Sequence, residues 1–359
     1  MSVRSPAEPP VPSSVEGAPL RAEEITYSHV QQFDPQRSIA FLSVSALEVH
    51  GPHLPLGMDM FMARWQAEVT ARRFAEAHAD WTVVVYPHLP LGTDELPLPG
   101  SIDGTQQTVY RALLAHGASF AKAGFGYAVV TNGHGGARHA SAVEAACRRV
   151  SRRRGIQMFS PSIAVLHGIV SGPRHDDLEA NLGRALTDEE RSGLLHGEHA
   201  GTMETSFALA ERPDQVDPSY RELKQDGPPQ FAPLAAAGRR LAPLFGGNGG
   251  RFHEISGSLA GGVGWLLNAH YGYGRPYRVT YQGDPSAASA ELGHALRETM
   301  VQGCLEYVEK VTSGELPAGD VRSIASEPAI IQPGFWQRLG LLSAVVTGAA
   351  AFAWALRRR

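Results

Sequence analysis

The chain has 359 residues, 43% hydrophobic and 19% charged, which suits a globular protein with a sizeable core and excludes a disordered chain. A formal net charge of -4 leaves no basic footprint for nucleic acid, so no nucleic-acid partner is expected. Two cysteines, Cys147 and Cys304, exclude a disulfide framework and a thiolate zinc site and fit a reducing compartment.

Residues 1–23 are rich in Pro and Ser, lack an apolar core and read as a disordered leader rather than a secretory signal. The body, residues 24–312, alternates two kinds of pattern. Ser38–Val44 (SIAFLSV), Thr82–Tyr86 (TVVVY) and Tyr127–Thr131 (YAVVT) are short, branched apolar runs that predict buried strands, and Ile156–Leu166 reads as another. Asp59–Ala79, Thr105–Ala123 and Ala137–Arg153 predict helices, the last with a basic exposed face. This alternation predicts an α/β fold, a three-layer α/β/α sandwich around a mainly parallel sheet, in which sites form outside the carboxyl ends of strands. Arg221–Arg251, broken by Pro228, Pro229, Pro233 and four glycines, is either a mobile loop over a site or an ordinary surface excursion. Thr280–Leu296 reads as a strand, a turn at Gly283-Asp284-Pro285 and a helix capped by Ser286, with a structural or subunit-contact role. Residues 313–334 have linker composition.

Residues 335–359 end the chain differently. Leu339–Leu356 is an 18-residue run without a charge, preceded by Phe335 and Trp336 and followed by Arg357, Arg358 and Arg359. That length and flanking chemistry predict a C-terminal transmembrane helix, with a buried helix as the alternative. The missing signal favours a cytoplasmic domain anchored to the cell membrane by this tail; the three arginines themselves prefer the cytoplasm, which conflicts.

Three short stretches carry chemistry. In SALEVHGPHLPLGMD (Ser45–Asp59), Glu48 and His50 share one face of an extended segment, and Asp59 arrives after a Gly/Pro loop at a helix start. A carboxylate, an imidazole and a second carboxylate are ligands suited to Zn or Mn, and a carboxylate can bridge two ions. A polar surface loop is the alternative, but the neighbours Leu47, Leu54, Leu56 and Met58 are apolar. VVTNGHGGARHA (Val129–Ala140) places His134 among glycines after a strand, as a metal ligand or as a hydrogen-bonded structural histidine; the spacing fits neither a dinucleotide nor a Walker loop. His139 is assigned a structural role. HGEHAGTMETS (His196–Ser206) offers Glu204 near a helix start, as a site carboxylate or a capping residue, and His199 as general acid–base or supporting hydrogen-bond partner. His196 and Glu198 compete for those roles. No serine elbow or activated cysteine setting is present.

Together these blocks resemble the creatininase (creatinine amidohydrolase) family: SALEVHGPHLPLGMD, TNGHGGA, HAGTMETS and GDPSAASAELG match its segments in the right order. The resemblance implies a creatininase-like fold, a pair of divalent ions (Zn, Mn or Fe) and hydrolysis of a C–N amide-type bond in a small molecule by water activated between the ions. It implies Glu48, His50, Asp59 and His134 as ligands, with Asp59 bridging, and Glu204 as the fifth, because Gly136 stands where creatininase proper has a glutamate. His199 matches a catalytic histidine and Glu204 also lines the reaction centre. Ala137 replaces an asparagine, and no tryptophan is an evident counterpart of those that cover creatinine. A homo-oligomer is expected. The alternatives are a peptidase of the kind that trims the mycofactocin precursor and a membrane-tethered scaffold without catalysis.

Overall fold

A computed structural model describes residues 18–195, 199–227 and 229–335. In chain order its strands are β1 (Leu20–Arg21), β2 (Ser38–Ser45), β3 (Thr82–Val85), β4 (Leu89–Pro90), β5 (Tyr127–Thr131) and β6 (Gln157–Phe159). Its α-helices are α1 (Tyr27–Val30), α2 (Met58–Ala77), α3 (Gln106–Ala123), α4 (Ala137–Arg154), α5 (Ser162–Val170), α6 (His175–Leu182), α7 (Asp188–Leu195), α8 (Thr202–Glu211), α9 (Ala232–Leu241), α10 (Gly249–Tyr271) and α11 (Ala290–Thr312).

Every residue of β2 is buried, so this strand is covered on both faces. The sheet runs β1-β3-β2-β5-β6, all parallel, and β4 pairs with the last residues of β2. Alternate side chains go to opposite layers. Ile39, Phe41, Val83, Val85 and Val129 pack on α2 and α11 through Phe74, Ala71 and Val308. Ala40, Leu42, Val44, Val84, Ala128 and Val130 pack on α3 and α4 through Leu113, Phe120, Val143 and Val150. The result is the expected α/β/α sandwich. A further cluster joins α8 and α11 to α5, α6 and α7 through Phe207, Met203, Leu296 and Leu178.

Some expectations need correction. Ile156–Leu166 is not one strand: β6 stops at Phe159, and Pro161, which has no ladder donor, sits at the N-cap of α5. Arg221–Arg251 is not a bare loop; it contains α9, kinks at Gly246 (φ 51°) and leads into α10, and Phe245 stacks on Phe252 with ring centroids 4.3 Å apart. In Thr280–Leu296 the strand shrinks to bridges of Gln282 with His199 and of Gly283 with Asp226. The α11 cap is Ser289, which accepts from Leu292 N, because Asp284 draws Ser286 into its own 3₁₀ turn.

The described parts of the expected leader and linker are folded onto the domain. Leu20 and Arg21 extend the sheet beside β3. After α11 the chain returns across the domain, with Ala318 and Val321 buried in the core. Farther along, the buried Glu144 carboxylate of α4 accepts from Ser323 N at 3.2 Å and from the Ser326 hydroxyl. Arg148 donates to Ser326 Oγ and to Gln332 Oε1. Linker composition misleads here because turn residues also suit a chain hydrogen-bonded to a helix surface. No helix among the described residues is long and apolar enough to cross a membrane; apart from Phe335, the expected span 335–359 lies outside those residues.

Candidate metal centre

Glu48 and His50 follow the carboxyl end of β2, Asp59 lies in the first turn of α2, His134 follows β5, and Glu204 lies in the first turn of α8. Their relative exposures are all 5% or less. Gly133 allows this convergence, since a Cβ there would come within 2.2 Å of the Asp59 carbonyl oxygen.

Asp59 sits at the centre. Its Oδ1 lies 3.1 Å from His50 Nε2, and its Oδ2 lies 3.0 Å from His134 Nδ1. Glu48 Oε2 is 3.1 Å from the same His134 nitrogen, and Glu204 Oε2 is 3.4 Å from His50 Nε2. Donor atoms of Glu48, Asp59 and His134 therefore form one compact triad, and those of His50, Asp59 and Glu204 a second; within each, the atoms lie within 4.8 Å of one another. Glu48 Oε2 and Asp59 Oδ2 approach His134 Nδ1 without hydrogen-bond alignment and have no other donor. Buried carboxylate oxygens left this way are costly unless a cation takes their lone pairs, so the donor set fits divalent ions.

The groups around the triads fix the rotamers. His50 Nδ1 donates to the Glu48 carbonyl oxygen at 3.0 Å, and His134 Nε2 donates to Thr93 O at 3.1 Å, leaving the opposite nitrogens toward the carboxylates. Leu96 N donates to Glu48 Oε1 at 2.6 Å, and Ala200 N to Glu204 Oε2 at 2.6 Å. Burial opposes charge on these histidines, yet Asp59 and Glu204 raise His50 to about 10, and Glu48 and Asp59 raise His134 well above its ordinary value. Burial pushes Glu48 and Asp59 up as well, but His199 and His134 hold Glu48 below its usual value, and His50 and His134 hold Asp59 far below.

His199 stands beside this cluster, 4.4 Å from the His50 ring by centroids, and a ring nitrogen comes within ligand reach of Glu48 and His50. Its Nε2 donates to Val49 O at 2.8 Å, which leaves the Nδ1 lone pair free. Trp265, from α10, meets the His199 ring edge-on at 5.2 Å.

Other titratable residues of these stretches fall elsewhere. His53 bonds Thr205 Oγ1 at 2.8 Å, and burial lowers it to about 4. His139 bonds Asn132 Oδ1 at 3.1 Å, and Asn132 in turn accepts from His134 N at 2.9 Å. His196 and Glu198 lie outside the described residues. Sequence reasoning passed over Thr93, Asp94, Glu95 and Leu96, whose signal was a pair of adjacent acids in an apolar stretch. It passed over Trp265 too, which no motif marks.

The family model described as "Creatininase: Creatinine amidohydrolase" matches residues 23–308. The chain belongs to the creatininase family. Solved creatininases share its fold at low identity. A structure described as "Creatininase Mn" is 19% identical, with a TM-score of 0.51 over 81% of this chain and 98% of that one. A mutant creatininase of Zn-Zn type is 18% identical, with the same TM-score and coverage. A crystal structure of creatinine amidohydrolase is 19% identical, with a TM-score of 0.51 over 81% of this chain and 97% of that one. No curated protein sequence matches this chain. A Cβ at Gly136 would stand 2.5 Å from His134 Nε2 and 3.0 Å from Thr93 O, so a side chain at this position would disturb the bond between them.

Proposed function

We propose that this creatininase-family protein is a metal-dependent amidohydrolase that uses two divalent ions (Zn, Mn or Fe) to hydrolyse a C–N amide-type bond in a small molecule. The observation that carries this reading is the pair of buried donor triads sharing Asp59. Glu48, Asp59 and His134 would hold one ion and His50, Asp59 and Glu204 the other, with Asp59 bridging. When bound, the ions supply Lewis acidity to the scissile carbonyl and acidify water for attack.

The chain's own groups do the rest. Because Val49 O takes the Nε2 proton of His199, Nδ1 accepts a proton from the attacking water and returns it to the leaving nitrogen. Trp265 packs against this imidazole and limits its access to bulk water. A homo-oligomeric domain that includes β1 and the returning segment through Val321, anchored by residues 335–359 with the domain in the cytoplasm, completes the proposal; carbonate extraction of membranes from cells making the full chain tests the anchor.

Elemental analysis of the purified full chain, followed by a panel of cyclic amides, formamides and short peptides, tests the function. Two equivalents of transition metal and metal-dependent turnover of a non-peptide amide support it. Turnover of peptides alone moves the reading to a peptidase, and a chain without metal affinity refutes both.

A further inference from the structure

We infer that Asp94, a residue outside the donor triads, positions two of their members by clamping the loop Thr93–Leu96 to the N-terminus of α4; the inference rests on the metal reading above. The N-cap of α4 is Gly136, which has no side chain to offer the exposed amides of the first turn. Asp94 supplies that cap from another part of the chain. Its Oδ2 accepts from Arg138 N at 2.7 Å, and its Oδ1 accepts from Arg138 Nε. The side chain is 10% exposed. To reach this place Asp94 adopts φ 78°, a left-handed backbone that residues other than glycine rarely hold without compensation.

The groups on either side of Asp94 show what the clamp achieves. The Thr93 carbonyl accepts from His134 Nε2, so the other ring nitrogen, Nδ1, faces Glu48 Oε2 and Asp59 Oδ2. The Leu96 amide donates to Glu48 Oε1, so Oε2 is the oxygen left for the triad. One short loop thus orients an imidazole and a carboxylate from two different strands' ends. Gly136 admits the loop: a Cβ there would lie 2.8 Å from the Asp94 Cβ. The bonds of the Asp94 carboxylate at the α4 N-terminus offset the cost of its left-handed backbone and so hold the loop in place.

Full-length wild type, Asp94→Ala, Asp94→Gly and Asp94→Asn are compared for zinc stoichiometry and for affinity by chelator competition, alongside thermal unfolding of the metal-free proteins. Asp94→Ala and Asp94→Gly are expected to weaken one of two bound zinc ions by about 10–100-fold, the usual effect of losing support behind a ligand. Asp94→Asn, which tolerates the left-handed conformation and still accepts from Arg138 N, stays within about threefold of wild type. Glycine relieves the backbone conformation, so Asp94→Gly separates the two readouts: its zinc affinity drops while its metal-free unfolding temperature stays closer to wild type than that of Asp94→Ala. Wild-type zinc affinity in both Asp94→Ala and Asp94→Gly overturns the positioning role alone. A wild-type chain that binds no zinc overturns the metal reading and the positioning role together.

Discussion

Asp59→Asn keeps the shape of the side chain and removes its charge from the one position common to both triads. In the metal-free protein Asp59 lies 3.1 Å from His50 and 3.0 Å from His134, at 1% exposure. Removing one member of such a buried ion pair costs about 3–5 kcal/mol. The pH window has two edges. Asp59 is depressed on folding, so its contribution is present above the unfolded value of 3.8 and is lost as pH falls toward the folded value. His50 is raised, so its contribution is complete below 6.5 and is lost as pH rises through about 10. Urea unfolding of chelator-treated proteins should therefore show the largest wild-type advantage between pH 3.8 and 6.5, fading on both sides. With metal restored, Asp59→Asn should retain little of either ion and lose at least about 10³-fold in turnover, the equivalent of about 4 kcal/mol. Two tightly held ions and undiminished turnover in this variant would refute a centre bridged by Asp59.

His199→Gln should keep both ions by elemental analysis while kcat drops by about 10²–10⁴-fold, the usual scale for a lost acid–base group. Glu95 is 3% exposed, and burial raises its carboxyl to about 7, so the neutral acid is the form the fold favours. Its contribution is complete below the unfolded value of 4.5 and is lost as pH rises through about 7, so metal-free wild type should lose about 3 kcal/mol relative to Glu95→Gln between those limits in chemical unfolding. Glu144→Ala deprives Ser323 N and Ser326 of their acceptor and should destabilise the domain by about 1–3 kcal/mol, with increased proteolysis after α11 if the returning segment detaches.

The strands β2, β3 and β5 were legible because nearly all their residues are buried, so apolar runs such as Ser38–Val44 stand out without help from tertiary context. The triads were legible for a different reason. Glu48, His50 and Asp59 are charged or titratable residues inside apolar sequence, where exposure is an unlikely explanation for them. Glu204 could be placed only through the family resemblance, since a carboxylate early in a helix is just as well explained by capping. What stayed hidden acts through the main chain or through distant packing. Thr93 and Leu96 serve with backbone carbonyl and amide groups, which every residue has, so residue type carries no trace of the role. Trp265 reaches His199 from α10, in a part of the chain where no motif points toward the site. Ala318 and Val321 enter the core from a stretch of linker composition, because burial of two small side chains barely alters composition.

The charge balance of the site bears on whether the protein is a scaffold or a catalyst. Glu48, Asp59 and Glu204 bring three carboxylates into a space almost closed to water, faced by the imidazoles of His50, His134 and His199. A scaffold would be stabilised by replacing such a cluster with apolar side chains of similar volume, since buried ion pairs rarely recover their desolvation cost. The arrangement is instead maintained by backbone donors: Ala200 N holds Glu204 at Oε2, and Leu96 N holds Glu48 at Oε1, which leaves Glu48 Oε2 for a cation. Donors placed to hold an acid still, without saturating it, are what a cation site requires and what a purely structural cluster would lack. A variant set in which Glu48, Asp59 and Glu204 are all replaced by their amides separates the cases. If the cluster is structural, added zinc should stabilise neither wild type nor the triple variant. If it is a metal centre, zinc should raise the unfolding temperature of wild type and leave the triple variant unmoved.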